Sequence, residues 1–317
     1  MTLDVRPFED SDVEAAGRLL AARHAEHRRH EPLLAARFED PAAAAEEVAA
    51  AWTTESASGA AATRDGELVG YLIGAPKASP SWGANVWVES AVVAAADGET
   101  VRELFAVAAD RWVGEGRVAH YALVPSHDAR LIDGFFRLAF GLQHVHGVRE
   151  PLSGGADATV RRARHDDVPV LADLDLVLLD HQARSPVYSS GVPFTREEAL
   201  VDAEDSIDST EYIVFVAERE GRVVASSVGC ALTVSSAHTG PARPDDAGFL
   251  GFAAVLPEAR GSGAGRSVGD AVLAWAGDAG YHSVVTDWRS TNIQSSRAWT
   301  GLGFRPTFFR LHRLVGH

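Results

Sequence analysis

The stretch Phe249-Leu250-Gly251-Phe252-Ala253-Ala254-Val255-Leu256-Pro257-Glu258-Ala259-Arg260-Gly261-Ser262-Gly263-Ala264-Gly265-Arg266-Ser267 decides the fold. An apolar strand runs up to a proline, a glycine-rich loop follows, and a helix begins. Gly261, Gly263 and Gly265 let backbone amides approach a ligand without interference from a Cβ. The helix start aims unpaired N–H groups and the positive end of its dipole at the same place. Arg260 and Arg266 add cations. The binding stretch Arg260, Gly261, Ser262, Gly263, Ala264, Gly265, Arg266 and Ser267 therefore reads as a pyrophosphate cradle, against the plainer reading of a flexible strand-to-helix turn. A Walker loop needs lysine before its Ser/Thr, where Arg266 stands, and its spacing differs. A dinucleotide fingerprint needs its third glycine where Arg266 stands, although Asp287 mimics the ribose-binding acid. Five residues between Val255 and Gly261 also separate that loop from its strand.

The cradle lies in an acidic chain. The 317 residues carry a formal net charge of −15, with 46% hydrophobic and 23% charged residues. That composition excludes disordered and fibrous classes. The length suits two domains or one large α/β domain. The charge splits as about −9 up to Gly155 and −6 after it, so neither half is a basic nucleic-acid module. An acidic field repels phosphate backbones and anionic lipid, and attracts cations. One cysteine, Cys230, excludes an intrachain disulfide, and no Cys/His spacing suits structural zinc. No apolar run reaches the ~20 residues that span a bilayer. With no secretory signal at the start, the expectation is a cytoplasmic enzyme or binding protein.

A faint repeat runs through the chain. Val5-Arg6, five residues, then Asp12-Val13 recurs 155 residues later as Val160-Arg161, five residues, then Asp167-Val168. Arg64-Asp65-Gly66-Glu67-Leu68-Val69 meets Arg219-Glu220-Gly221-Arg222-Val223-Val224 at the same offset. Near the ends, Phe135 to Phe140 aligns with Trp299 to Phe304. Three matches in order favour duplication. The turn-rich linker is Pro151-Leu152-Ser153-Gly154-Gly155, which divides the chain into 1–152 and 157–317.

Each half then reads alike. A short strand (3–7; 159–163) leads to a helix opened by acids (Asp10, Asp12; Asp166, Asp167) that suit a helix N-terminus. A second helix follows (41–53; 195–206), with Thr195 and Glu198 spaced as a capping box. A hairpin turns at Asp65-Gly66 or Glu220-Gly221. An apolar strand (86–93; 249–256), a helix, a strand and a last helix–strand pair complete the half. The fold class is α/β of the α+β type: two tandem domains, each a mixed, mostly antiparallel sheet flanked by helices.

Arg260-Gly261-Ser262-Gly263-Ala264-Gly265 fits the R/Q-x-x-G-x-G/A loop of the GCN5-related N-acetyltransferases, and Val255 to Ala259 matches its lead-in. Downstream, Asn292, Ser295, Trp299 and Gly303-Phe304 stand at the spacing of that family's second motif, N-x-x-A/S-x-x-x-Y-x-x-x-G-F. The sequence thus resembles this superfamily in a tandem arrangement, over 159–314 and more weakly over 2–150. The resemblance implies acetyl-coenzyme A as co-substrate and no metal. Its pyrophosphate would sit on amides 260–265, and its pantetheine would run beside Ala253, Ala254 and Val255, whose strand amides would also polarise the thioester carbonyl. Asn292 would bond the pantetheine arm, helped by Ser295. An amine acceptor, a small cationic molecule on charge grounds, would attack directly.

The chain departs from the family at Trp299, which takes the place of its usual tyrosine acid. Indole N–H does not protonate a thiolate, so Ser295, Ser296 or a water would serve. No general base declares itself; Asp287 is a weak candidate. The first half has Ala94-Ala95-Ala96-Asp97-Gly98-Glu99-Thr100 in place of the loop, and Asp128 in place of the asparagine, as a degenerate copy would. His24, His27, His30 and Glu31 read as an exposed arginine-rich face. His144 and His146 share a strand face, and Cys230 reads as a small buried hydrophobe. The acids from Glu197 to Glu211 read equally as a solvated face or as a lure for a cationic acceptor. Two other classes stay open: a non-catalytic acyl-coenzyme A sensor and a dinucleotide-binding oxidoreductase. The expected partners are a small-molecule amine, neither nucleic acid nor membrane, and a monomer or homodimer.

Overall fold

The computed structural model describes residues 3–78, 82–154, 157–189, 194–236 and 238–316. Gly155 of the expected linker lies outside them. Two compact units form. The first comprises the chain up to His146, Thr239–Pro244, and the chain from Pro306 on; the second comprises Gly147–His238 and Asp245–Arg305.

In the first unit, β1 (Leu3–Pro7) leads through a 3-10 turn to α1 (Val13–His30) and α2 (Pro41–Trp52). The hairpin β2 (Ser58–Arg64) and β3 (Glu67–Gly74) follows, then β4 (Asn85–Val88), β5 (Val93–Ala95), α3 (Gly98–Gly114), β6 (Ala119–Pro125), α4 (Ala129–Phe136) and β7 (Gly141–Arg149). The second unit repeats the order with β8 (Val160–Arg162), α5 (Val168–Ala183), α6 (Arg196–Asp208), β9 (Tyr212–Arg219), β10 (Arg222–Ala231), β11 (Ala247–Val255), α7 (Ala264–Asp278), β12 (Ser283–Arg289) and α8 (Ile293–Gly301). The last strand is β13 (Arg305–Leu314). Within unit 1, β1-β2-β3-β5 is an antiparallel sheet. Within unit 2, β8, β9, β10 and β11 pair antiparallel, and β11 pairs β12 in parallel.

The units are not cut at 152 and 157: the second half lends its last strand to the first unit, and the end of β7 from Gly147 lies in the second. β13 pairs antiparallel with β6 of the first unit, from Phe308 opposite Pro125 to Leu314 opposite Ala119. The end of β7 belongs to unit 2, where Arg149 donates to the Leu302 carbonyl and Gly147 lies so close to Trp288 that a Cβ would meet its ring at 2.7 Å.

The repeated Val-Arg…Asp-Val motif has a physical cause. Arg6 grips Asp12 through two bonds of 2.7 Å, and Arg161 grips Asp167 at 2.7 and 3.0 Å. Both aspartates are buried. They tie the first strand to the following helix rather than simply answering a helix dipole. The hairpin turns have left-handed backbone at Asp65-Gly66 and Glu220-Gly221, as a tight right-twisting turn requires. Thr195 and Glu198 form the expected capping box.

Two expectations fail. The apolar run 86–93 is not one strand. β4 pairs in parallel with β6, while β5 pairs with β3, and a turn at Glu89–Val92 divides them. The Arg23 guanidinium holds that break by donating to the carbonyls of Ser90 and Val93. The histidine face of α1 is not exposed. Arg23, His24, His27 and Glu31 are buried, while His30 stays outside. His24 Nε2–H donates to the Ala35 carbonyl at 2.8 Å, and its ring lies edge-on to Phe38. Burial pushes His24 down to about 4 and His27 to about 2, so both are neutral packing groups. His146 is also buried, and His144 meets Arg310 at 2.9 Å.

Candidate active site

A cleft of about 650 Å³ opens in unit 2 between α5, β11, α7 and α8. Ala253, Ala254 and Val255 of β11 form one wall. Arg260, Gly261, Gly263, Ala264, Gly265 and Arg266 form its mouth, and Asn292, Ser295 and Trp299 line the far side. Three features of the local fold make this space. β11 pairs with β12 only from Ala247 to Phe249, so the two strands part before Ala253. Gly261 and Gly263 sit at φ +80° and +87°, and an added Cβ at either would meet nothing within 4 Å. Gly263 is the N-cap of α7 and offers no side-chain cap of its own to the helix's first amides. Among the described residues, Ser262 Oγ accepts one long bond, from the Ala264 amide at 3.4 Å.

These residues fit an anionic ligand. The positive helix end and free amides suit phosphate oxygens. Arg260 is exposed beside them. Arg266 is held near its own helix by Asp270 at 3.4 Å and the Gly301 carbonyl at 3.3 Å. Ser267 and Ser262 do not line the cleft; Ser267 Oγ donates to Asp157 at 2.9 Å.

Asn292 is the buried N-cap of α8, and its Oδ1 accepts from the Ser295 amide at 3.1 Å. The NH2 end is what it can offer a ligand. Ser295 Oγ donates to the Asn292 carbonyl at 3.2 Å. Ser296 spends its amide on the Asn292 carbonyl and does not line the cleft. Trp299 is buried, lies edge-on to Phe304 and also faces the cleft, so it is both core and wall. Asp287 is away from the cleft lining, with His238 Nε2 at 3.9 Å. The sequence reading missed His181, on the last turn of α5, whose Nε2 lies 3.3 Å from Asn292 Oδ1 on the cleft wall.

A second pocket of about 430 Å³ continues past the first. Leu178 lines both, and β11 runs along both: Ala253 to Val255 beside the first, Phe249, Gly251 and Phe252 beside the second. Gly251 is the extra residue of a β-bulge, since Phe252 pairs with Val228 and Leu250 with Gly229. Such a bulge re-aims the backbone where the pockets meet. Leu179, Phe194, Tyr212 and Val228 add apolar wall. The polar groups are Asp175, Asp202, Ser206 and Cys230. Burial, then the charge of Asp202, pushes the Asp175 carboxyl up to about 6. Burial pushes the Cys230 thiol up to about 11, which leaves it an unreactive wall residue. The acidic run thus divides: Asp202 faces the pocket, and Glu198 closes its capping box.

The first unit has a cleft of about 650 Å³ at the matching place, but its anion site is filled from within. Asp97 caps α3, accepting from the Thr100 amide at 2.8 Å and its hydroxyl at 2.9 Å. The backbone bond from Thr100 holds this carboxyl below the usual range. Asp128, at the asparagine position, caps α4. Replacing Asp97 with alanine should lower stability by about 1 kcal/mol, read as a urea midpoint shift, and still confer no coenzyme binding on this unit. Gain of a second coenzyme equivalent would show that Asp97 alone had closed the site.

Among the described residues, no group of three or more His, Cys, Asp or Glu is placed to hold a metal ion, and no helix is long and apolar enough to cross a membrane.

Comparison with known proteins agrees with this geometry. Residues 178–304 match the model of the acetyltransferase (GNAT) family. The aminoglycoside N(6')-acetyltransferase type 1 of Stenotrophomonas maltophilia is 31% identical over 121 residues, which are 35% of this chain and 78% of that protein. A GCN5-related N-acetyltransferase from Sphaerobacter thermophilus shares the fold at TM-score 0.57 and 15% identity, over 98% of this chain and 95% of that one. A tandem GNAT protein from the clavulanic acid biosynthesis pathway aligns at TM-score 0.48 and 14% identity, over 100% and 99% of the two chains. With an open, uncapped helix end over a parted strand pair in one unit and a self-filled copy in the other, the chain is an N-acetyltransferase and belongs to the GNAT family.

Proposed function

We propose that this protein transfers an acetyl group from acetyl-coenzyme A, held in the cleft of unit 2, to the amine of a small molecule that arrives as a cation, loses a proton to solvent and attacks as the neutral amine, the coenzyme A thiolate leaving. The observation that carries the reading is the uncapped N-terminus of α7 behind two glycines with open left-handed backbone. Amides 260–265 and Arg260 would take the pyrophosphate. The free side of β11 from Ala253 to Val255 would take the pantetheine arm as an added strand, with Asn292 donating from its NH2 end. Acetyl-coenzyme A brings the acetyl group as a thioester, whose thiolate, of pKa about 8.5, leaves without an acid. The absence of a tyrosine at Trp299 is therefore tolerable. His181 sits where its Nε2–H can orient Asn292 by donating to Oδ1. The low-potential surface of the chain, net −15, favours a cationic acceptor. The unit-1 cleft, capped by Asp97 and Asp128, acts as scaffold.

Calorimetric titration tests the reading. Acetyl-coenzyme A should bind at one equivalent per chain and NAD should not bind. Thiol release in the presence of amines should exceed release without them. Two equivalents, or a preference for NAD, would overturn it. Binding without amine-dependent thiol release would return the protein to the sensor class.

A further inference from the structure

We propose that the second pocket of unit 2 selects a primary ammonium carried on an aromatic or branched apolar body, and that Asp175 and Asp202 are its specificity-determining pair. The inference deepens the transferase reading and rests on it. The cradle at Gly261 and the strand from Val255 to Ala253 set a direction: a pantetheine laid along β11 points its thioester end at Phe252 and Gly251, where the second pocket begins. An acceptor must therefore enter from that pocket.

The lining then defines what can enter. Leu178, Leu179, Phe194, Phe249 and Phe252 make the body of the pocket apolar. Two carboxylates line it, the part-buried Asp175 of α5 and the exposed Asp202 of α6, and among the described residues no Arg, Lys or His joins them in the lining. Among the described residues, neither carboxylate has a hydrogen-bond or ion-pair partner. The nearby cation Arg196 is spent on Asp173 at 3.1 Å. The remaining titratable groups facing the pair are Tyr212 from β9 and Cys230 from β10, whose thiol burial pushes up to about 11. The part-buried, unpaired Asp175 carboxylate beside the Asp202 charge is stabilised when a cation enters, and an aromatic wall adds cation–π attraction for that cation. A polyhydroxylated amine would instead bury hydroxyls against Phe194, Phe249 and Phe252, where few groups could bond them. The carboxyl of Asp175 is pushed up to about 6, so the pair reaches its full charge only above that pH.

The test uses the full chain with acetyl-coenzyme A and four acceptors: phenethylamine, tryptamine, neamine and glycine. Phenethylamine and tryptamine should give kcat/KM at least about tenfold above neamine and glycine. Asp175→Asn should raise the KM for phenethylamine by about tenfold, the scale of one lost charge-assisted hydrogen bond. It should also remove the extra step in kcat/KM near pH 6, over and above the slope set by protonation of the attacking amine, and leave coenzyme affinity unchanged by calorimetry. Asp202→Asn should move that step to lower pH, because it removes the charge that helps raise Asp175. Preference for neamine or glycine, an unmoved KM in Asp175→Asn, or a step near pH 6 that survives it would overturn the proposal. Failure of the arylalkylamines to react or bind, with coenzyme still binding at one equivalent, would also overturn it while leaving the coenzyme site intact. Failure of coenzyme binding itself would refute the underlying reading instead.

Discussion

Gly263→Val should weaken coenzyme binding at least about 100-fold while the chain still folds. The position has φ +87°, and an added Cβ meets nothing within 4 Å. The folded protein therefore suffers backbone strain of about 1–2 kcal/mol but no clash. The ligand suffers more. Valine would stand in the phosphate path and tilt the first amides of α7. Two charge-assisted hydrogen bonds at about 1.5–3 kcal/mol each account for a loss of two decades or more. Gly221→Val is the matched control: it sits at φ +76° in the same unit, also with open space around it, and away from the cleft. Both variants should lose similar thermal stability, and only Gly263→Val should lose affinity in calorimetry. Equal affinities in the two variants would mean that the phosphate does not use this helix end.

Much of this site was legible because its chemistry is local. A glycine loop writes its backbone requirement directly into adjacent letters, and Asn292 reports its capping role three residues before the Ser295 amide it holds. The hairpin glycines and the Thr195 box are likewise short-range devices. Features built by tertiary contact left no such trace. Asp175 sits in Leu171-Ala172-Asp173-Leu174-Asp175-Leu176, where two acids look alike; only the fold turns one toward Arg196 and the other toward a pocket. His24 and His27 carry a polar letter on a helix face that packing, against Phe38 and Phe308, makes internal. Arg23 is the least legible, since a guanidinium normally marks surface. Here backbone carbonyls at Ser90 and Val93 satisfy it. The lending of β13 to the first unit is invisible for the same reason: strand letters state a propensity and not a partner.

Arg161→Ala should remove about 3 kcal/mol of stability at pH 7, the scale of stranding one member of a buried ion pair. Asp167 has only 8% of its side chain exposed, and without Arg161 its carboxylate keeps one backbone partner, the Arg164 amide at 2.8 Å. Arg161 also bonds Glu218 at 2.7 Å, but that acid is 40% exposed, so its arm is worth under about 1 kcal/mol. Arg6→Ala in the first unit strands Asp12 in the same way without a Glu218 equivalent, and should lose slightly less. The pH dependence has a definite sign. The bond from Arg161 holds the Asp167 carboxyl below the usual range, despite the opposing effect of burial. Stability from a depressed carboxyl is fully present above its unfolded pKa, about 3.9, and is lost as pH falls through the folded value. The gap between wild type and Arg161→Ala should therefore be widest near neutrality and narrow below about pH 4. Urea midpoints at pH 7 and pH 3.5 measure it. A gap independent of pH would assign the loss to the arginine's packing, and a double variant Arg161→Met with Asp167→Leu that recovers stability would show that the stranded charge, rather than the missing side chain, is what unfolds the protein.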